Sequence, residues 1–167
     1  MKRFAGFSLG FAFLLATAVA HADGSSFAAD VKEWAKDADY KLRAPDSCVS
    51  TVETAFGGTA EACWNAKRRT KVSGLFPRFH ILEARYADEE HAKQRIRKLR
   101  EDPPGAHKAA EQDKAYPLRA AFRVKDHVIV ITTDAFAFQP DVDRTAADLA
   151  ARSGGTDVTC WDDCFSR

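Results

Sequence analysis

The sequence predicts an α+β domain in which helices pack on one side of a small antiparallel sheet of about three strands. An amphipathic helical pattern opens the exported part of the chain, and alternating strand patterns occur only in the second half. Segregated runs of helices and strands are typical of α+β proteins. Four cysteines add two predicted disulfides to this fold.

The first 22 residues have the composition of a secretion signal. Lys2 and Arg3 are followed by 17 uncharged residues, 4–20, whose last residue begins the small-residue site at 20–22. That stretch contains two glycines and is shorter than the ~20 apolar residues of a spanning helix, which disfavours an uncleaved membrane anchor. We therefore predict cleavage after Ala22, a periplasmic location, and one domain over residues 23–167 with no membrane span.

The mature chain is close to neutral. Removing residues 1–22 leaves 23 basic and 24 acidic residues of the original 25 and 24. Such a balance gives no overall field that favours nucleic acid or an anionic membrane, so neither is expected as a partner. The densest cationic run, residues 67–71, has two interpretations: a solvated helix end, or a surface for an acidic partner.

All four cysteines lie in the mature chain, where an even number in an oxidising compartment indicates disulfides. Proximity in sequence favours Cys48–Cys63 and Cys160–Cys164, although the other two pairings stay open. Zinc held by the last two cysteines and a histidine is disfavoured, because their spacing differs from that of zinc knuckles. A redox dithiol would need the closer Cys-x-x-Cys spacing.

Three helical segments are predicted before the first strand. The first starts at the caps Ser25 and Ser26 and continues to about Tyr40, with an apolar stripe formed by Phe27, Val31, Trp34, Ala35 and Ala38. Residues 46–56 suit a helix behind an Asp46 cap, with a strand as the alternative. Gly57-Gly58 then breaks the chain, and residues 59–66 are predicted to be a helix.

The second half predicts the order strand, helix, strand, strand, helix. The strands are residues 79–86, 118–124 and 128–131, and the last is central because it is apolar on both faces. The helix after Asp88 buries Ala92, Ile96 and Leu99, and exposes Lys93, Arg95, Arg97, Lys98 and Arg100. Asp141 or Asp143 caps the final helix, which Gly154 ends.

Residues 79–100 resemble a SPOR peptidoglycan-binding repeat in their strand-then-helix order. The resemblance covers about 20 residues, and the hairpin that follows departs from the order of that repeat. It implies an envelope-binding module as one possible function, and no residue role is carried over from it.

No catalytic motif is present in the sequence. The mature histidines His80, His91, His107 and His127 lie in different elements, and none pairs with another at metal-ligand spacing. The nearest group of polar residues is His127, Thr132, Thr133 and Asp134, but such groups at strand ends more often cap and solvate the strand than take part in catalysis. We therefore expect a protein that is not an enzyme and that has no cofactor or metal.

Three aromatic residues are predicted to bind a partner protein. Phe136 and Phe138 follow the central strand, and Trp161 lies between two cysteines, so each could be a rigid hydrophobic anchor. The alternative is that these rings plug the core. The expected function is that of an inhibitor or immunity protein that occludes a secreted enzyme or toxin. An envelope-binding module is the alternative, and an enzyme is less favoured.

Overall fold

The computed structural model of the chain describes residues 26–101, 118–133 and 136–160. These residues form an α+β fold with six strands in one antiparallel sheet. The elements in chain order are α1 (Ser26–Asp37), β1 (Tyr40–Arg43), α2 (Thr51–Ala55), β2 (Thr59–Arg68), β3 (Arg78–Arg85), α3 (Glu89–Glu101), β4 (Leu118–Val124), β5 (His127–Thr133), a 3-10 turn (Phe136–Phe138), α4 (Gln139–Ser153) and β6 (Thr156–Thr159).

The strand order β1-β2-β3-β5-β4-β6 explains where the two long crossover helices lie. Because every neighbouring pair is antiparallel, β3 runs parallel to β4, and β5 runs parallel to β6. Both crossovers advance in the same direction across the sheet, but they start from strands that run in opposite directions. The preference for right-handed crossovers therefore places α3 and α4 on opposite faces, whereas the sequence pattern predicted helices on one side.

The first face of the sheet is covered by α1 and α4 and carries the larger core. Phe27 of α1 packs edge-on against Trp64 of β2 and Phe122 of β4. The fully buried strand residues below them include Ile81, Ile129 and Ile131. This face is the main apolar core, as the stripe of the first predicted helix indicated.

The second face is covered at one end by α2 and α3. Its smaller core comprises Ala84, Tyr86, Ala92, Ile96, Leu99, Ala121, Val128 and Val130. The buried stripe predicted for α3 is therefore confirmed. Arg95, which was predicted to face solvent, is instead only 3% exposed.

Arg95 is buried because it forms an ion pair with Glu53 of α2. Glu53 is 2% exposed and accepts two hydrogen bonds from the Arg95 guanidinium, at 2.9 and 2.8 Å. It also accepts a hydrogen bond from the Tyr86 hydroxyl, and the Phe56 ring lies 4.0 Å from the guanidinium carbon. Desolvation, with the hydrogen bond to Glu53, raises the pKa of Tyr86. The buried charges are therefore paired, as burial requires.

Residues 59–66 form a strand, so the predicted helix is wrong. The pairing of β2 with β1 on one side and β3 on the other outweighs the local helical spacing. The four-residue strands β1 and β6 carry no strong alternating signal, and they were missed. The sheet therefore has six strands within the described residues, not about three.

The helix predicted within residues 46–56 is confirmed for Thr51–Ala55, but with a different cap. The Ser50 side chain, not Asp46, accepts a hydrogen bond from a backbone N–H of the first turn. Val52 and Phe56 are exposed, because α2 turns Glu53 inward.

Several boundaries in the second half are confirmed and one is corrected. The tight turn at residues 125–126 joins β4 to β5, and Gly154 ends α4 in the left-handed conformation. The helix α4 begins at Gln139 with Pro140 in its first turn, so neither predicted aspartate is the cap. Asp143 is buried and accepts a hydrogen bond from the Gln139 amide.

One disulfide, not two, is found within the described residues. The predicted Cys48–Cys63 bridge joins the segment before α2 to β2, with the Cα atoms 5.7 Å apart. The predicted Cys160–Cys164 bridge includes Cys164, which lies outside the described residues.

No helix in the described part of the chain is long and apolar enough to span a membrane.

Candidate functional site

A cluster of cations occupies the end of the second face that α2 and α3 leave open. Lys41 of β1, Lys67 of β2 and Arg78 of β3 lie directly opposite one another in register. Two residues along, a second row crosses four strands and consists of Arg43, Asn65, His80 and Thr132. Because side chains two apart in a strand share a face, both rows lie on one surface, which we call the basic face.

The basic face places like charges where a sheet does not favour them. Cations directly opposite on neighbouring strands repel one another, and such pairs destabilise a sheet. Among the described residues, Lys41, Arg43, Lys67 and Arg78 make no ion pair within 4.0 Å. Their positive field is therefore directed to solvent and is not neutralised by neighbouring described carboxylates.

His80 contributes a hydrogen-bonding group rather than a further charge. Its Nδ1 lies 2.9 Å from the side-chain oxygen of Asn65, its neighbour in register. Desolvation by burial lowers the pKa of His80 below its usual value of 6.5, so the ring is neutral at pH 7. The ring is therefore oriented by Asn65.

The basic face forms an open groove of about 670 Å³, and its described lining comes from β1, β2, β3 and β5. That lining contains no acidic residue. Phe79 is the aromatic residue of the lining, but it is 4% exposed because it belongs to the first-face core. The described lining thus offers cations and hydrogen-bonding groups, but no exposed Phe, Tyr or Trp ring on which a nucleic-acid base could stack.

A small hairpin extends the basic face at the connection between β2 and β3. Val72 and Leu75 exchange backbone hydrogen bonds, and Ser73 and Gly74 between them both have positive φ, which indicates a type I′ turn. Leu75 is 56% exposed at this tip. We call residues 72–75 the tip hairpin.

The ring of Phe76 contacts two cations next to the tip hairpin, one of which already belongs to the basic face. The ammonium groups of Lys67 and Lys71 lie 4.7 and 5.5 Å from the centre of that ring. The cationic run at residues 67–71 therefore forms the end of β2 and the following turn, not a helix end.

A second polar group lies on the first face, at the opposite end of the sheet. His127 of β5 places Nδ1 at 2.8 Å from Glu83 of β3 and at 3.8 Å from Glu61 of β2. Its Nε2 lies 3.6 Å from Asp126, and Arg85 lies 3.4 Å from both Asp126 and Glu61. The hydrogen bond to Glu83 raises the pKa of His127, in opposition to desolvation and with help from the surrounding carboxylates. We call these five residues the histidine–carboxylate cluster.

The polar group predicted around β5 is not brought together. His127 and Thr133 share the first face but lie at opposite ends of the strand, about 20 Å apart at the usual rise per residue. The Thr133 hydroxyl donates to the backbone carbonyl of Arg78. Thr132 belongs to the basic face, and Asp134 lies outside the described residues.

Of the three predicted aromatic anchors, the structure describes the side chain of one. Phe138 is 6% exposed, as the core-plug alternative predicts, and its role in partner binding stays a prediction. The side chain of Phe136 and the whole of Trp161 lie outside the described residues, and for these two the partner-binding prediction stays a prediction.

The basic face was not predicted from the sequence, because its residues form no local pattern. Its cations are spread over three strands, and two of those strands were not predicted. The run at residues 67–71 was the one local signal, and it includes Lys67.

Comparison with known proteins finds no matching protein family, no matching curated protein and no matching solved structure. The site therefore has to be interpreted from its own chemistry.

Proposed function

We propose that this protein is an exported binding protein that uses the basic face and the tip hairpin to hold an acidic surface of another protein. The observation that carries the proposal is the row of Lys41, Lys67 and Arg78, which lie opposite one another without ion-pair partners among the described residues. An arrangement that costs stability in the free chain becomes favourable when carboxylates of a partner come between the cations.

The composition of the surface favours a protein partner over a nucleic acid. Protein interfaces combine a few apolar anchors with a polar rim, and here Leu75 and Val72 are exposed beside the cations. Binding of single-stranded nucleic acid relies mainly on exposed Phe, Tyr or Trp rings, and the described lining of the groove offers none of these.

Within this class, the narrower proposal is an inhibitor or immunity protein that occludes an envelope-acting enzyme or toxin. The predicted secretion signal and the Cys48–Cys63 disulfide support an oxidising compartment outside the cytoplasm. Occlusion requires a broad, preformed surface, and a sheet face is rigid because each strand is held by its neighbours.

A matched pair of charge-reversal variants tests the proposal. Lys41→Glu with Lys67→Glu reverses two of the four cations of the basic face, while Lys32→Glu with Lys36→Glu makes the same charge change on exposed α1 positions. The probe is poly-L-glutamate, an acidic polypeptide, and its affinity is measured by calorimetry at low and moderate salt. We expect salt-dependent binding that only the basic-face variant loses. Equal loss in both variants would show a net-charge effect and reject the site.

Identification of the partner uses the same two variants as baits in periplasmic extract. A protein captured by the wild type and by the α1 variant, but not by the basic-face variant, is the expected partner. Its inhibition by the wild type would support the narrower proposal. Pelleting of the wild type with isolated peptidoglycan, without such a protein, would instead support the envelope-binding alternative.

A further inference from the structure

We propose that the histidine–carboxylate cluster is a zinc site in which Glu61, Glu83 and His127 are the ligands. The three ligand atoms lie within 4.8 Å of one another, on three neighbouring strands. This site is separate from the basic face, and the inference is independent of the proposed function.

A β-bulge brings the third ligand to the site. Glu83 and His127 share the first face, because Glu83 pairs with Ile129, two residues after His127 on β5. Regular alternation along β2 would point Glu61 to the second face, but the register shifts between Ala60 and Ala62. The extra residue redirects Glu61 towards the first face, which is a known effect of bulges beside functional sites.

The distances need only small adjustments to hold zinc. Ligand bonds of about 2.0–2.2 Å in tetrahedral geometry place ligand atoms roughly 3.4 Å apart. The Nδ1 atom of His127 lies 2.8 Å from Glu83 and 3.8 Å from Glu61, on either side of that value. Side-chain rotation of the exposed Glu61 can close the difference without movement of the sheet.

The surroundings supply the outer contacts that zinc sites use. A zinc-bound histidine almost always donates its second N–H to a carboxylate or carbonyl oxygen, which orients the ring. Here Nε2 of His127 lies 3.6 Å from Asp126, and Asp126 in turn contacts Arg85 at 3.4 Å. The second ring nitrogen therefore already faces a carboxylate that is itself anchored.

The local charge matches a divalent cation. The cluster contains three carboxylates and one guanidinium, so it carries two net negative charges when the imidazole is neutral, as a metal requires. The imidazole ligand favours zinc and other first-row transition metals over Ca²⁺ and Mg²⁺, which prefer all-oxygen sites. Three protein ligands leave the fourth position to water.

Zinc chloride added to chelator-treated protein purified from the periplasm tests the proposal. We expect one zinc ion per chain by calorimetry and native mass spectrometry, together with a rise in melting temperature, because the ion joins β2, β3 and β5. Ca²⁺ and Mg²⁺ should not compete at similar concentrations. The ¹⁵N resonance of His127 Nδ1 should shift on zinc addition.

Variants decide whether this cluster holds the ion. Asp126→Asn should weaken zinc binding by about 10- to 100-fold, and Glu61→Gln by at least as much. Both positions are partly exposed, so both variants should fold. Substitution of His127 is avoided, because it would leave the buried Glu83 without its hydrogen-bond partner. His91→Ala is the control, because His91 makes the same 2.8 Å contact with a single carboxylate, Asp88. An absence of saturable binding at micromolar zinc, or an equal loss in the control, would overturn the proposal.

Discussion

The two ends of the second sheet face differ in whether their charged side chains are paired. Under α2 and α3, Glu53 and Arg95 are buried and joined by two hydrogen bonds. Arg123, also buried, donates to Asp157 and Glu89. At the other end, the cations of the basic face lie side by side without ion-pair partners in the described chain.

The difference separates the charges that the fold requires from those that it merely tolerates. A buried charge must be paired, because removal of its partner leaves an uncompensated ion in a medium of low polarity. An exposed cation has no such requirement, and repulsion between neighbouring cations does not stabilise the fold. The covered end should therefore control stability, and the open end should control binding.

The largest effect is expected when the buried pair is broken. Arg95→Met should lower the free energy of unfolding by about 3–5 kcal/mol, because Glu53 stays buried without its counter-ion. Urea denaturation followed by circular dichroism measures the change. Adding Glu53→Met should recover most of the loss, and Arg97→Met, at an exposed position of α3, should have little effect. A loss in Arg95→Met no larger than that of the control would refute this assignment.

Removal of the disulfide should have the next largest effect. Cys48→Ser with Cys63→Ser opens a loop with a sequence separation of 15, which the loop-entropy model values at about 3 kcal/mol. The variant's affinity for poly-L-glutamate should be unchanged below its melting temperature, because pairing with β1 and β3 holds the basic-face part of β2 without the disulfide. If the affinity fell with the stability, the two ends would not be independent.

Neutralisation of one cation on the basic face should change stability little, and in the stabilising direction. Lys41→Gln removes a like charge that lies directly opposite Lys67, and it should raise the free energy of unfolding by up to about 1 kcal/mol at low salt. The gain should disappear at high salt, where the repulsion is screened. Lys32→Gln on α1 is the matched control. A clear loss of stability in Lys41→Gln would mean that the fold depends on this cation.

The smallest expected effect is a pH dependence from His80. Folding lowers the pKa of His80, so the unfolded chain binds the proton more readily. The contribution of His80 to stability is therefore present above its unfolded pKa of about 6.5 and is lost as the pH falls below that value. The charged side chains that line the same groove are Lys41, Arg43, Lys67 and Arg78.

Unfolding measured at about pH 7 and about pH 5 should show this loss in the wild type and a smaller one in His80→Gln. His91→Gln, at an exposed helix position, should leave the His80 contribution unchanged. An NMR titration that placed the pKa of His80 above 6.5 would contradict the prediction.

Prediction from sequence was correct for elements whose own hydrophobic pattern shows which side is buried. The stripe from Phe27 to Ala35, the buried positions of α3 and the apolar strand β5 were read correctly, because each element buries one side or both. It failed for β2, whose local spacing is helical and whose strand state depends on partners distant in sequence.

The candidate sites depended on tertiary structure to a greater degree. Nothing near Arg95 distinguishes it from the exposed arginines of the same helix, and its partner Glu53 lies 42 residues earlier. Glu61, Glu83 and His127 have no motif spacing, and a bulge is needed to bring them together.

The sequence by itself determined the α+β class and the helices and strands whose hydrophobic period is strong, and it favoured the Cys48–Cys63 pairing that the structure contains. Only the tertiary structure decided which face each helix covers, which charges are buried and which cations share a surface. The physical reason is the distance along the chain over which each effect acts. Periodicity and turn chemistry act within a few residues, whereas strand register and crossover direction place residues from distant segments opposite one another, and both candidate sites consist of such residues.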